Sequence, residues 1–252
     1  SFQTSNSLAM VLGICLILLL YVAQILWLTY GTFIVKSFHF QSPTPKTTFS
    51  IIIPFRNEAN HLPNLLESLA SLEYPIALFE ILLVDDGSSD ASLEIINECI
   101  ATSRLNIKLL TNNRNSPSPK KDAILSAITH SSNAWMITTD ADCVVPKTWL
   151  TALDSFIQST HPEMVAAPVM LKPKKDFHSS FLYAFETLDF AGLIGSTIGG
   201  FGVSKLFMAN GANLAYRKTA FFQVGSFDGN EKIRFPYLIQ FITWLSSTLK
   251  IT

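Results

Sequence analysis

Residues 49–90 read FSIIIPFRNEANHLPNLLESLASLEYPIALFEILLVDDGSSD, and this stretch decides the fold. An apolar run, Phe49 to Pro54, gives way to Arg56-Asn57-Glu58. A stretch of helical spacing follows from Glu58 to Leu72. A second apolar run, Phe79 to Val84, ends on Asp85-Asp86-Gly87. Short apolar runs bounded by polar turns and separated by a helical pattern read as strand, helix, strand.

Downstream the alternation continues. Helical patterns over Ala91–Thr102, Lys121–His130 and Lys147–Ser159 interleave with apolar runs at Asn106–Leu110, Ala134–Thr139 and Met164–Val169. Strands that alternate with helices imply an α/β domain with a mostly parallel, Rossmann-like sheet covered on both faces. Such sheets bind ligands beyond the carboxyl ends of their strands. The polar loop Asn112–Pro119 is one of the connections. Phe177–Ile198 is apolar-rich but contains Glu186 and Asp189, so it reads either as an amphipathic helix at a membrane surface or as a core helix.

Upstream, Ser37–Thr48 contains Pro43 and Pro45 among polar residues and reads as a linker. Before it, residues 1–35 carry no Asp, Glu, Lys or Arg, and Leu8–Val35 is almost continuously apolar. A hydrocarbon core about 30 Å thick needs roughly 20 helical residues, so residues 1–36 read as one transmembrane anchor. A cleaved signal is disfavoured: no basic segment leads the run, and the run exceeds the roughly 7–15 residues of a signal core. Lys36 and Lys46 follow the span and nothing basic precedes it, which places the following domain on the cytoplasmic side.

Composition narrows the partners. The chain of 252 residues is 48% hydrophobic and 15% charged, with a net charge of −1 and no dense basic run, so it offers no nucleic-acid surface. Cys15, Cys99 and Cys143 show neither metal-ligand spacing nor a disulfide framework and read as small buried hydrophobes.

Three polar clusters fall at the expected strand ends. Pro54-Phe55-Arg56-Asn57-Glu58 follows the first strand, although a helix dipole alone accounts for an acidic Glu58. Asp85-Asp86-Gly87-Ser88-Ser89-Asp90 follows the second. There Asp90 suits a helix cap, while the adjacent carboxylates repel unless a ligand or donors use them. Thr139-Asp140-Ala141-Asp142 follows a later strand, and its two carboxylates suit Mg²⁺ or Mn²⁺, which are held by few carboxylates plus substrate phosphate.

The ordered set is Pro-x-x-Asn-Glu, Asp-Asp-Gly-Ser, Lys120-Lys121 and Asp-Ala-Asp. It resembles the family 2 glycosyltransferases of the GT-A fold. The similarity runs from Phe49 to about Ile233 and includes Ala209-Asn210-Gly211-Ala212-Asn213 and Val224-Gly225-Ser226-Phe227-Asp228.

The resemblance implies a nucleotide-sugar donor site. Pro54, Glu58 and Asp86 would contact the base and ribose, with Asp85 as a second choice, and Lys120 and Lys121 would lie beside the nucleotide. Asp140 would approach the ribose or metal. Asp142 would coordinate a divalent cation, Mg²⁺ or Mn²⁺, bridging the diphosphate. It further implies inversion by direct displacement, with a carboxylate base after the Gly-Ser-Phe-Asp block and a lipid-linked or polysaccharide acceptor.

From Arg234 to Thr252 no acidic residue occurs, so the base is not found there. Asp228 and Glu231 are the nearest carboxylates and are not assigned the role. Residues 234–252 therefore read as an atypical tail, truncated or frame-shifted, and a nucleotide-binding fragment without a base is the alternative reading. A nucleotidyltransferase would need a glycine-rich phosphate loop near the first strand. A dinucleotide oxidoreductase would need Gly-x-Gly-x-x-Gly there, and neither occurs.

Overall fold

The computed structural model describes residues 2–41, 43–171, 181–204 and 209–227. Asp228, Glu231 and residues 234–252, named above, lie outside the described residues. The chain divides into two compact units, residues 38–169 with 209–252 and residues 1–37 with 170–208.

The larger unit is built on a six-stranded sheet of order β3-β2-β1-β4-β6-β5. β1 (Phe49–Phe55) and β2 (Phe79–Asp85) lie at its centre, flanked by β3 (Ile107–Thr111) and β4 (Trp135–Thr138). These four run parallel. β6 (Leu214–Arg217) is antiparallel to both β4 and β5 (Met164–Ala166). Successive residues of β1 are buried on both faces: Phe49, Ile51, Ile52 and Ile53 are all fully inaccessible. That explains the continuous apolar run, since a central parallel strand has no solvent face. Each such side chain contributes about 1.5–3 kcal/mol of burial free energy.

The helices cover the sheet through apolar stripes. In α2 (Leu62–Ala70), Leu62, Leu65, Leu66 and Leu69 are buried, the i, i+3, i+4, i+7 spacing of one face. α2 begins four residues later than the apolar periodicity suggests. Pro63 fixes the first turn, and Glu58–His61 form a non-helical turn ahead of it. α3 (Ser92–Thr102), α4 (Pro119–His130) and α5 (Trp149–Thr160) match the expected helices within two residues at each end. β5 is shorter than its apolar run, and β6 is a strand that its sequence does not announce.

The Pro-containing linker is strapped to α5. The Phe38 ring meets Phe156 edge-on at 5.1 Å. The Gln41 amide donates to Ser155 Oγ at 3.2 Å, and Gln158 Nε2 donates to the Thr44 carbonyl at 3.1 Å. Thr47 donates from both its amide (3.0 Å) and its hydroxyl (2.5 Å) to Oδ1 of fully buried Asp154. The Tyr74 hydroxyl caps the Thr47 carbonyl at 2.7 Å, and burial pushes its phenol well above the usual range, so it stays a donor.

At the amino ends of the strands, buried Glu80 accepts from Ser50 Oγ (2.6 Å), the Ser132 amide (2.6 Å) and Lys108 Nζ (2.7 Å). Burial opposes its ionisation, but the Lys108 ammonium and the Ser50 and Ser132 donors outweigh it and hold the carboxyl below the usual glutamate range. The stability this confers is complete above the unfolded value of about 4.3 and is lost as pH falls through the lower folded value. Glu80→Gln is therefore expected to lower the unfolding temperature by a few degrees at pH 7. The gap to wild type is expected to close in acid, checked by thermal unfolding of both proteins from pH 7 to 3. A gap independent of pH would remove the ion pair as its cause.

In the smaller unit, α1 (Phe2–Ile34) pairs with α6 (Phe181–Gly202). Residues 9–34 of α1 have a mean hydropathy of 2.6, and the apolar side chains from Met10 to Leu26 stand exposed, while Gly31 near the end of the helix is buried. Among the described residues α1 is the one helix long and apolar enough to cross a bilayer. α6 lies in this unit with α1, which removes the reading of Phe177–Ile198 as a core helix of the sheet domain. Cys15 is exposed on α1 rather than buried. Cys99 packs against the sheet core as a small hydrophobe, in keeping with the sequence reading.

Candidate active site

The parallel strands end together, and their carboxyl ends carry the polar clusters. In register, Pro54 of β1 lies opposite Val84 and Phe55 opposite Asp85 of β2. The loops after the two strands are laced to each other. The Asn57 amide donates to Ser88 Oγ (3.0 Å), and the Ser89 amide donates to Asn57 Oδ1 (2.7 Å). The Glu58 amide donates to Ser92 Oγ (2.9 Å), and Asp90 accepts from the Ala59 amide (3.0 Å) and the Ser92 amide (3.1 Å). Asn57 and Gly87 adopt positive φ of 56° and 78° to make these turns, conformations that asparagine and glycine tolerate best. Asp90 thus links the start of α3 to the β1–α2 loop. The Glu58 carboxylate pairs with His61 Nδ1 at 2.7 Å in the turn ahead of α2.

The two adjacent carboxylates have separate environments. Asp85 is buried and accepts from the Ser88 amide at 3.0 Å, closing the glycine turn. Asp86 is partly exposed. Arg114 donates Nε to its Oδ1 (2.7 Å), and Nη2 to its Oδ2 (2.8 Å) and to its carbonyl (2.8 Å). Asn112 Nδ2 adds a further bond to Oδ1 at 2.7 Å. Burial opposes ionisation of Asp86, but these donors and the charges of Arg114 and Arg56 prevail and hold its carboxyl below the usual aspartate range. Arg114 and Asn112 were missed by the sequence reading, which took residues 112–119 as a plain loop. The available signal was an arginine between a strand end and the lysine pair.

The third cluster lies beside these. β4 delivers Thr139, whose amide donates to the Ile52 carbonyl at 3.1 Å, and then Asp140 and Asp142. Lys120, in the first turn of α4, donates Nζ to Asp140 Oδ1 at 2.5 Å. Lys121 turns inward: it is 4% exposed, and its Nζ lies 5.6 Å from the centroid of the Phe227 ring. The structure thus separates the two lysines, one at the carboxylate and one in the interior. Asp142 is exposed. Burial pushes the neighbouring Cys143 thiol up, leaving it protonated.

Beneath this cluster, Thr138 Oγ1 donates to the Gly211 carbonyl at 2.6 Å. Trp149 Nε1 donates to Asn213 Oδ1 at 3.0 Å, and Asn213 Nδ2 donates to the Pro168 carbonyl at 3.0 Å. The Asn-Gly-Ala-Asn block is therefore a brace between β4, α5 and the segment that follows β5.

A divalent cation would find only oxygen donors in Asp140 and Asp142. Among the described residues no group of three or more His, Cys, Asp or Glu is poised for a metal. Two carboxylates suit Mg²⁺ or Mn²⁺, which complete their shells with water and substrate phosphate, and do not suit a closed protein cage.

Comparison with known proteins agrees with this geometry. The poly(ribitol-phosphate) β-N-acetylglucosaminyltransferase TarS of Staphylococcus aureus is 30% identical over 117 residues, covering 46% of this chain and 20% of TarS. The undecaprenyl-phosphate 4-deoxy-4-formamido-L-arabinose transferase of Sodalis glossinidius is 37% identical over 98 residues, covering 38% of this chain and 29% of that protein. The chain thus spans well under half the length of these relatives. Among solved structures, the mannosyltransferase PcManGT of Pyrobaculum calidifontis, in complex with GDP-Man and Mn²⁺, shares the fold. Its TM-score is 0.64 at 20% identity, over 86% of this chain and 58% of that one. Residues 50–225, which hold the whole sheet apart from the first residue of β1, match the family described as glycosyl transferase family 2. The chain belongs to glycosyl transferase family 2.

Proposed function

We propose that this domain transfers a sugar from a nucleoside-diphosphate sugar to a lipid-linked or polysaccharide acceptor, with inversion, at the cytoplasmic face of a membrane. The observation that carries the reading is the convergence of Asp86, Asp140 and Asp142, with Arg114 and Lys120, at the carboxyl ends of β1, β2 and β4.

In this reading Asp86, with Pro54 and Glu58 nearby, receives the base and ribose. Asp85 holds the turn that presents Asp86. Asp142, with Asp140, holds Mg²⁺ or Mn²⁺, which when bound stabilises the charge that develops on the departing diphosphate. Lys120 sits on Asp140 and keeps a cation beside the anionic donor, where its charge offsets phosphate. Lys121, buried over the Phe227 ring, supports the loops of the site from within. The residue that takes the acceptor proton is not assigned. The relative that acts on undecaprenyl phosphate, the apolar α1 and the lysines after it support a membrane setting with the sheet domain on the cytoplasmic side.

The test is calorimetric titration of the detergent-solubilised full chain with uridine diphosphate and, separately, guanosine diphosphate, each with and without Mn²⁺. Binding of one of them that strengthens with Mn²⁺ is expected. A folded protein that binds neither would overturn the donor site.

A further inference from the structure

We infer that α6 is a membrane-interface helix, with its unpartnered apolar face lying in the lipid of the bilayer that α1 crosses. The first observation is how α6 meets α1. Gly31, Gly199 and Gly202 bring the two backbones into direct contact. A Cβ on Gly31 would strike the Gly199 carbonyl, one on Gly199 the Leu28 carbonyl, and one on Gly202 the Gly31 carbonyl. Leu28 and Gly31 belong to the last two turns of α1, at the end of the apolar run and beside Trp27 and Tyr30, the residue types that favour a membrane boundary. Close glycine contact is how helices pair where no hydrophobic force drives them together.

The second observation is what the same face does further along. Phe185, Leu188, Gly192, Gly195, Gly199 and Gly202 follow one another at alternating steps of three and four and so share one side of α6. The close backbone contact with α1 lies at Gly199 and Gly202, whereas a Cβ at Gly195 or Gly192 would meet nothing within 4 Å. Beyond that point Phe185 is 58% and Leu188 74% exposed. This apolar row adds to the exposed apolar surface that α1 presents from Met10 to Leu26.

Charge sets the depth. Glu186 and Asp189 lie three residues apart on a neighbouring side of α6, turned from the centre of the apolar row by about a third of the helix circumference. A helix carrying two carboxylates is not held at the centre of a bilayer. A helix that is apolar over most of its circumference, gathers its two carboxylates on one side and is pinned at the end of a span lies in the interface, with its apolar row toward the acyl chains and its carboxylates toward water.

The test uses the full chain in liposomes, with Cys15→Ser, Cys99→Ser and Cys143→Ser, carrying a polarity-sensitive fluorophore on Leu188→Cys. Phe185→Cys serves as a second position and Leu18→Cys as the reference within α1. The expected result is a blue-shifted emission at Leu188 and Phe185, most of it lost to lipids with a nitroxide high on the acyl chain and little to aqueous iodide. A fluorophore on Glu186→Cys shows the reverse. Quenching by iodide and not by lipid at Leu188 and Phe185 overturns the inference and leaves the anchor and the donor site standing. Protection from both quenchers identifies a protein partner, such as a second copy, and also overturns it. A Leu18 label not quenched by lipid overturns the anchor and this assignment together, whatever the nucleotide titrations show.

Discussion

Asp142→Ala is expected to abolish the metal-dependent part of nucleoside diphosphate binding while leaving the fold intact. Asp142 is exposed, and among the described groups its only recorded side-chain partner is the Cys143 thiol at 3.8 Å, so its removal costs little stability. Asp140 already carries Lys120 on one oxygen, which leaves Asp142 as the carboxylate open to a cation. Loss of a charged ligand of this kind is worth about 1.5–3 kcal/mol, or roughly a 10- to 100-fold fall in affinity. The measurement is the affinity for uridine diphosphate with Mn²⁺, in wild type and variant, beside their unfolding temperatures. Equal affinities at equal stability would remove Asp142 from the site. Transfer assays on the same pair are expected to fall further than binding, because the cation acts on charge that grows as the diphosphate departs.

The second large effect concerns stability. Asp154→Ala deletes the buried carboxyl that receives both the amide and the hydroxyl of Thr47, as well as Gln158 at 2.9 Å. Each buried donor left unpaired costs about 1–3 kcal/mol, so the variant is expected to lose several kcal/mol, checked by denaturant unfolding in detergent. Limited proteolysis then distinguishes the strap from a general weakening. Cleavage near Lys46 is expected to precede cleavage anywhere in the sheet domain of the variant. Uniform cleavage would mean that Asp154 stabilises the domain without tying down residues 38–48.

How much of this is legible in the sequence varies from element to element. The buried parallel strands declared themselves, because a strand enclosed on both sides must be apolar throughout, as Ile51-Ile52-Ile53 and Ile81-Leu82-Leu83-Val84 are. β6 did not: Leu214–Arg217 is four residues long, ends on an arginine and acquires its conformation by pairing with β4. The carboxylates of the candidate site were visible because motif spacing marks them. Their individual environments were not, since Asp85 and Asp86 look alike in sequence and differ only because Arg114 reaches across from another loop. The start of α2 was misplaced because helical periodicity outweighed Pro63. The glycine contact between α1 and α6 carries no apolar signal, so composition alone left α6 open between two roles.

The order of the sheet carries a consequence for how the protein is made. Among the described strands β5 pairs only with β6, and β4 waits for β6 along one side, yet β6 is separated from β5 by residues 167–213, which include all of α6. At the usual pace of about 5–20 residues per second, a ribosome needs on the order of several seconds to cross that interval. The β3-β2-β1-β4 core can form from the chain already emerged, while one edge of β4 stays open until the segment carrying α6 has been delivered. Completion of the sheet is thereby timed by synthesis of the helix that pairs with α1, and a nascent chain delayed at that step exposes an unpaired strand edge, the feature most prone to misassembly.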